Sequence, residues 1–288
     1  MKPFMMIINK YRIQIITTIK ALLIFFGVIL VQIASATVCV LGYYVINAVS
    51  GEAYIDIIKK LYYMTENGST FLMILSVMSA SISFIWCAIL YKRSNWRDEG
   101  IDYRKVFSVN NIAFIAASGA GGCVVLTTLL SILMNLNPSA FKDYNQVMEN
   151  LDMSKGILTV VYVVIIGPIS EELIFRGAIF DRFRIAYSFW IANALQALLF
   201  GVYHMNLIQG LYAFLLGMLL GMIAYATGSI LASIATHMIF NATTYLLQTA
   251  ALSGGIVFLI LLLISIFILF LGVRYYLNMC LKKLENET

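Results

Sequence analysis

Five side chains able to hold charge or move a proton stand where hydrophobic residues otherwise dominate: Glu171, Glu172, Arg176, His204 and His237. The two histidines are the only ones in 288 residues, and the stretch ISEELIFRGAIF (Ile169 to Phe180) carries both acids and the arginine. A charge at membrane depth costs about 2.5–3.5 kcal/mol on insertion scales, so such residues read as a functional site by default. A single intramembrane ion pair is as often structural as catalytic. Two carboxylates, two imidazoles and a guanidinium between positions 171 and 237 are harder to explain as helix glue.

Helix geometry separates the two acids. Glu172 and Arg176 are spaced i,i+4, share a face and pair in the order favourable on a helix. Glu171 points about 100° away, which leaves it as the free carboxylate. Gly167 and Pro168 stand one turn earlier; proline lacks an N–H and crowds the preceding turn, so a kink that admits water is expected there. In FGVYH, Phe200 and His204 are i,i+4, so the aromatic ring packs on the face that carries the imidazole. In HMIFN, His237 and Asn241 share the same spacing and form a hydrogen-bonding edge.

Two chemistries suit this set. A carboxylate and two neutral imidazoles (Glu171, His204, His237) are possible ligands for Zn²⁺ with an open water position. Alternatively, Glu171 and His204 activate water directly while His237 and the Asn241 amide stabilise an oxyanion. Both end in hydrolysis of an acyl bond, a peptide first of all. The HExxH zinc signature is absent, and Asn241 suits an oxyanion better than a metal.

EELIFR (Glu171, Glu172, Arg176), FGVYH (Phe200, His204) and HMIFN (His237, Asn241) resemble the three motifs of the CPBP intramembrane proteases, also called Abi. That family joins CAAX prenyl proteases to bacterial bacteriocin-processing and immunity proteins. The resemblance covers Gly156 to Leu247. It implies a helical bundle with the catalytic cavity inside the membrane. It also implies that Glu171 activates water with His204, that His237 and Asn241 form the oxyanion site, and that Glu172 and Arg176 support them. Whether a metal is bound is left open.

The elements that must position these residues are membrane helices. The chain is 61% hydrophobic and 11% charged, with a mean hydropathy of +0.91. An ordinary soluble domain carries roughly 25% charge, so an all-α polytopic membrane bundle is the expected fold class. A span needs about 20 apolar residues. On that rule eight helices are expected: Ala21–Val49, Phe71–Tyr91, Ile112–Met134, Gly156–Phe180, Ser188–His204, Leu207–Ala226, Ile230–Gln248 and Gly255–Val273. The N-terminal one reads as a first span and not as a removed signal peptide. Residues 1–155 form an N-terminal three-helix membrane region, 156–248 the catalytic core, and 249–288 the last helix with a short basic tail. The longest polar stretch is the loop Lys92–Asn110, and GMLLG (Gly217 to Gly221) suits close helix approach.

With the N-terminus inside, fourteen lysines and arginines face the cytoplasm and four (Lys59, Lys60, Lys142, Lys155) face out, which places both termini in the cytoplasm. Simple alternation then sets Glu171 and His204 on the order of 10 Å apart in depth, at 1.5 Å per residue. No basic cluster forms a nucleic-acid face. Cys39, Cys87, Cys123 and Cys280 show no metal or redox spacing. The partners expected are the lipid bilayer and a peptide or protein substrate at the membrane; whether the protein is a homo-oligomer is not legible. The leading function is an intramembrane endopeptidase, with bacteriocin-type peptide processing favoured over CAAX processing because an Ile-, Lys- and Asn-rich chain suggests a low-GC bacterium. The alternative is a non-catalytic membrane binding or bacteriocin-immunity protein. A proton-relay transporter is disfavoured, as no internal repeat is visible.

Overall fold

The computed structural model describes residues 2–66, 70–94, 101–150, 156–249 and 255–287. Residues 95–100 of the expected polar loop, and Lys155, lie outside them. The described residues form helices and no strand. In chain order these are α1 (Lys2–Val49), α2 (Tyr54–Glu66), α3 (Thr70–Lys92), α4 (Val109–Leu136), α5 (Lys142–Asn150), α6 (Ile157–Arg184), α7 (Phe189–Tyr203), α8 (Leu207–Thr227), α9 (Ile230–Thr249) and α10 (Ile256–Glu287). A turn at Tyr103–Val106 precedes α4, and Pro138–Phe141 forms a tight turn before α5.

Seven of these helices are long and apolar enough to cross a membrane, one fewer than expected. The exception is the Ser188–His204 segment, whose helix runs only over the 15 residues Phe189–Tyr203. At 1.5 Å per residue it is about 22 Å long, short of a hydrocarbon core about 30 Å thick. It stops because Met205 takes a left-handed backbone (φ 53°) and the Asn206 side chain accepts from Gln209 N, which starts α8. Two elements were not foreseen, α2 and α5, because both are short and amphipathic. The first helix also starts well before Ala21, at Lys2.

Small residues set the tightest contact, between α7 and α8. A Cβ on Gly201 would stand 2.6 Å from the Gly210 carbonyl oxygen, and one on Gly217 would meet Ala197 and Phe200 at 3.1 Å. At Gly221 it would run into the Asn193 side chain. The GMLLG pair therefore packs helices, and it also opens the backbone to polar contact. Gln196 Nε2 donates to the Gly217 carbonyl at 2.9 Å, and Asn193 Nδ2 donates to Met218 O at 2.9 Å. Around this hairpin lies a core of fully buried Phe175, Ile179, Phe180, Phe200 and Ile223.

α6 is not a regular α-helix. Tyr162–Ile166 and Leu173–Phe180 are wound as π-helix, on either side of a short α-helical stretch, Gly167–Glu172. Such widened turns are rare and concentrate at functional sites. In the first of them the Gly167 N–H reaches back to Tyr162 O, five residues away. The same register would give Val163 O the N–H of residue 168, and Pro168 has none. The deviation expected at Pro168 is thus a change of helical winding.

Candidate active site

The buried charge is held by convergence on one carboxylate oxygen. Glu172 Oε1 accepts from Arg176 Nη1 at 2.8 Å and from His237 Nδ1 at 2.9 Å, and Glu172 and Arg176 are fully buried. Arg176 Nη2 also donates to Gly217 O at 3.2 Å, through the backbone that the small residues expose. The guanidinium lies 4.6 Å from the Phe200 ring centroid, a cation–π contact. A carboxylate, a ring face and a carbonyl thus stand in for the water that Arg176 loses on burial. The i,i+4 pair is present as the spacing predicted, but Glu172 has a second partner that spacing alone did not reveal.

These bonds fix the imidazole tautomers. A carboxylate oxygen only accepts, so the His237 Nδ1 at Glu172 carries the proton. Its Nε2 lies 3.8 Å from Glu171 Oε2. His204 Nδ1 is 2.8 Å from Phe200 O, which also only accepts, so this Nδ1 carries the proton too. Neutral His204 then presents an unprotonated Nε2. The Phe200 ring packs edge-to-face on both imidazoles, with centroids 4.9 Å from His204 and 5.9 Å from His237. Phe200 is the aromatic brace that the FGVYH spacing suggested.

Glu171, His204, His237, Asn241 and Phe200 line one cavity of about 430 Å³. The expected depth offset between Glu171 and His204 does not keep them apart, since both side chains border this space. Glu171 keeps 18% of its side-chain exposure, against none for Glu172, as the face argument required. Asn241 makes a contact that its spacing with His237 did not reveal. Its Nδ2 donates to Val163 O at 2.7 Å, the carbonyl that Pro168 leaves without an N–H. One amide hydrogen therefore braces α9 against α6, and the amide has a second to offer.

Among the described residues no three His, Cys, Asp or Glu side chains converge closely enough to hold a metal ion. Glu171, His204 and His237 share the cavity but do not form a ligand set as they stand.

The cavity also shows what a search for charges alone missed. Gln32 on α1 donates to the Tyr203 hydroxyl at 2.6 Å, and Tyr162 and Tyr212 complete the wall. Asn193 and Gln196, three residues apart on α7, bond each other at 2.8 Å and tie α7 to α8. Scanning the apolar segments for neutral amides would have found Gln32, Asn193 and Gln196.

The chain is similar to known proteins over part of its length. Over 93 residues the chain is 32% identical to an uncharacterized 24.3 kDa protein of Escherichia coli, a stretch that is 31% of this chain and 42% of that protein. The chain thus spans less than half the length of the curated relative it matches. No solved structure matches the chain. The family model described as type II CAAX prenyl endopeptidase Rce1-like matches residues 153–243, the segment that holds all three motifs. The match is therefore to the segment that holds the candidate site, about a third of the chain, and not to the chain as a whole.

Proposed function

We propose that the protein is an intramembrane endopeptidase that hydrolyses a peptide bond in a membrane-associated peptide or protein. The observation that carries this reading is a cavity lined by both Glu171 and His204, with His204 Nδ1 taken up by Phe200 O so that Nε2 is the ring nitrogen left for chemistry. A water between them gives one proton to Glu171, with His204 orienting it. Its oxygen attacks the scissile carbonyl carbon, and the carbonyl oxygen takes up the negative charge. The second amide hydrogen of Asn241 stabilises that oxygen, and so does His237 when its Nε2 is protonated. Collapse of the intermediate breaks the C–N bond, and the proton held by Glu171 passes to the leaving amine. One water is consumed: one of its protons reaches the amine through Glu171, and the other, from the hydroxyl of the new acid, passes by way of His204 Nε2 to the same amine, so that a carboxylate and an ammonium are released.

The lysine and arginine asymmetry supports both termini in the cytoplasm, which requires α7 to count as a pass. In favour of that, α7 runs antiparallel to α8 from the Gly201–Gly210 contact to the stacked rings of Phe189 and Tyr225, 4.3 Å apart.

The test is cleavage by purified protein in proteoliposomes, with prenylated CAAX-type and unmodified apolar peptides offered in H₂¹⁸O. The expected result is ¹⁸O in the new C-terminal carboxylate of one product, and turnover reduced by about 10²–10⁴ in His204→Ala, the usual contribution of acid–base assistance. Undiminished cleavage by His204→Ala would overturn the assignment.

A further inference from the structure

A second chamber of about 560 Å³ adjoins the catalytic cavity. Its walls come from α4 (Val124, Thr128, Ser131), α5, α9 and α10 (Phe258, Leu261, Ser265). Thr127, Leu130, Tyr144, Met148 and Thr244 line both spaces, so the two share a wall of five side chains. Tyr144 is central to that wall. Its ring packs edge-to-face on Phe141 of the second chamber and on Tyr212 of the first, at 5.8 and 6.2 Å between centroids. Tyr144, Val147 and Met148 occupy one side of α5, while Lys142, Asp143, Gln146 and Glu149 are distributed around the others. The short helix therefore roofs both spaces with its apolar side.

Three properties say what the chamber would take. Its rim is open, since Ser131 is exposed and Leu261 is 39% exposed, and both stand on helices long and apolar enough to cross a membrane. It lies next to the reacting groups. It is also not a purely hydrocarbon wall: Thr127, Thr128 and Ser131 stand along α4, facing Thr244 and Ser265 from two other helices. The three α4 hydroxyls donate to carbonyls of their own helix, Thr127 to Cys123 O, Thr128 to Val124 O and Ser131 to Thr127 O. Their oxygens keep lone pairs that accept from an N–H. Lipid tails offer no N–H, whereas a peptide does. The volume is in the range that holds a drug-sized ligand, about 300–1,000 Å³, enough for a short run of apolar residues.

We infer that this chamber is a specificity subsite that receives an apolar stretch of the peptide substrate, entering from the bilayer, while the scissile bond lies in the adjoining cavity. The inference rests on the proteolytic reading of that cavity. Every residue lining the chamber falls outside the segment 153–243 that matches the Rce1-like family. The chamber is thus lined by residues outside the segment that the family model covers.

Binding is read without cleavage, so that failure of this inference and failure of the proteolytic reading are distinguishable. The full chain, carrying Glu171→Gln, is placed in vesicles with a 20-residue Leu/Ala peptide bearing one benzophenone side chain. Cross-links are then mapped by mass spectrometry, with a benzophenone-tailed phosphatidylcholine as a parallel probe. The expected result is peptide cross-links to residues 124–131 and 258–265, reduced at least tenfold by Thr128→Trp, which fills the chamber. Should that variant not fold, Leu261→Trp, at the more exposed rim, serves the same purpose. Equal labelling of filled and unfilled chambers by the peptide, or labelling by the lipid probe that is as strong as the peptide's, would overturn the inference.

Discussion

The last two membrane helices obey opposite rules. The most apolar window of α10 has a mean hydropathy of 3.4, with 11% of it buried against the rest of the protein. In α9 the corresponding values are 1.3 and 39%. α10 is held mainly by lipid on its outer faces. α9 is held by protein and can therefore carry His237 and Asn241, whose polar atoms meet Glu172 and Val163 O. In a bilayer, where lipid is as apolar as leucine, burial inside the bundle is what permits a helix to be polar. The helices that carry Glu171, Glu172, Arg176, His237 and Asn241, α6 and α9, each have 39% of their window buried, against 11% in α10.

Substitutions can break or sharpen that contrast. The largest stability loss is expected from Arg176→Met, which leaves Glu172 charged and buried beside His237 alone. Losing one partner of a buried pair costs about 3–5 kcal/mol, measurable as a lower midpoint in detergent-titrated unfolding. Leu220→Ala removes a fully buried side chain from α8 and should cost about 2–5 kcal/mol in the same assay.

A smaller and more diagnostic effect concerns Asn241. If its first duty is to satisfy Val163 O, Asn241→Ala leaves that carbonyl without its donor and costs about 1–3 kcal/mol. Pro168→Ala supplies the missing N–H, so the double variant should be more stable than additivity predicts. Strict additivity in that cycle would show that the bracing bond contributes nothing. The smallest effect belongs to α10: Leu263, 58% exposed on a lipid-facing side, should tolerate alanine within about 0.5 kcal/mol. A loss there as large as that of Leu220→Ala would mean that α10 packs against protein and would erase the contrast.

How far this was legible in the sequence depended on the kind of interaction. Membrane helices follow from composition, since a helix satisfies every backbone group in lipid and apolar runs of about 20 residues are twice the length of a barrel strand. The division between Glu171 and Glu172 follows from helical geometry, because a 100° step separates neighbours. The bond from Glu172 to His237 does not follow, since it joins positions 65 apart through tertiary packing. Nor does the π winding of α6, which depends on where Pro168 removes a donor and what replaces it. The shortness of α7 was hidden because Ser188–His204 carries no acid, lysine or arginine, while its end is set by a backbone turn at Met205. The second chamber was invisible because its residues are ordinary ones from four separate helices.

The central claim is a division of labour between two adjacent acids, and it is tested most directly by comparing Glu171→Gln with Glu172→Gln. For each variant, turnover of a peptide cleaved by the unsubstituted protein is measured per folded molecule, alongside its unfolding midpoint. Glu171→Gln is expected to keep its midpoint while turnover falls by about 10²–10⁴, the scale of a lost general base. Glu172→Gln is expected to lower the midpoint, because Arg176 loses its counter-charge, while the protein that remains folded retains more activity than Glu171→Gln. Near-normal cleavage by a fully folded Glu171→Gln protein would contradict the account.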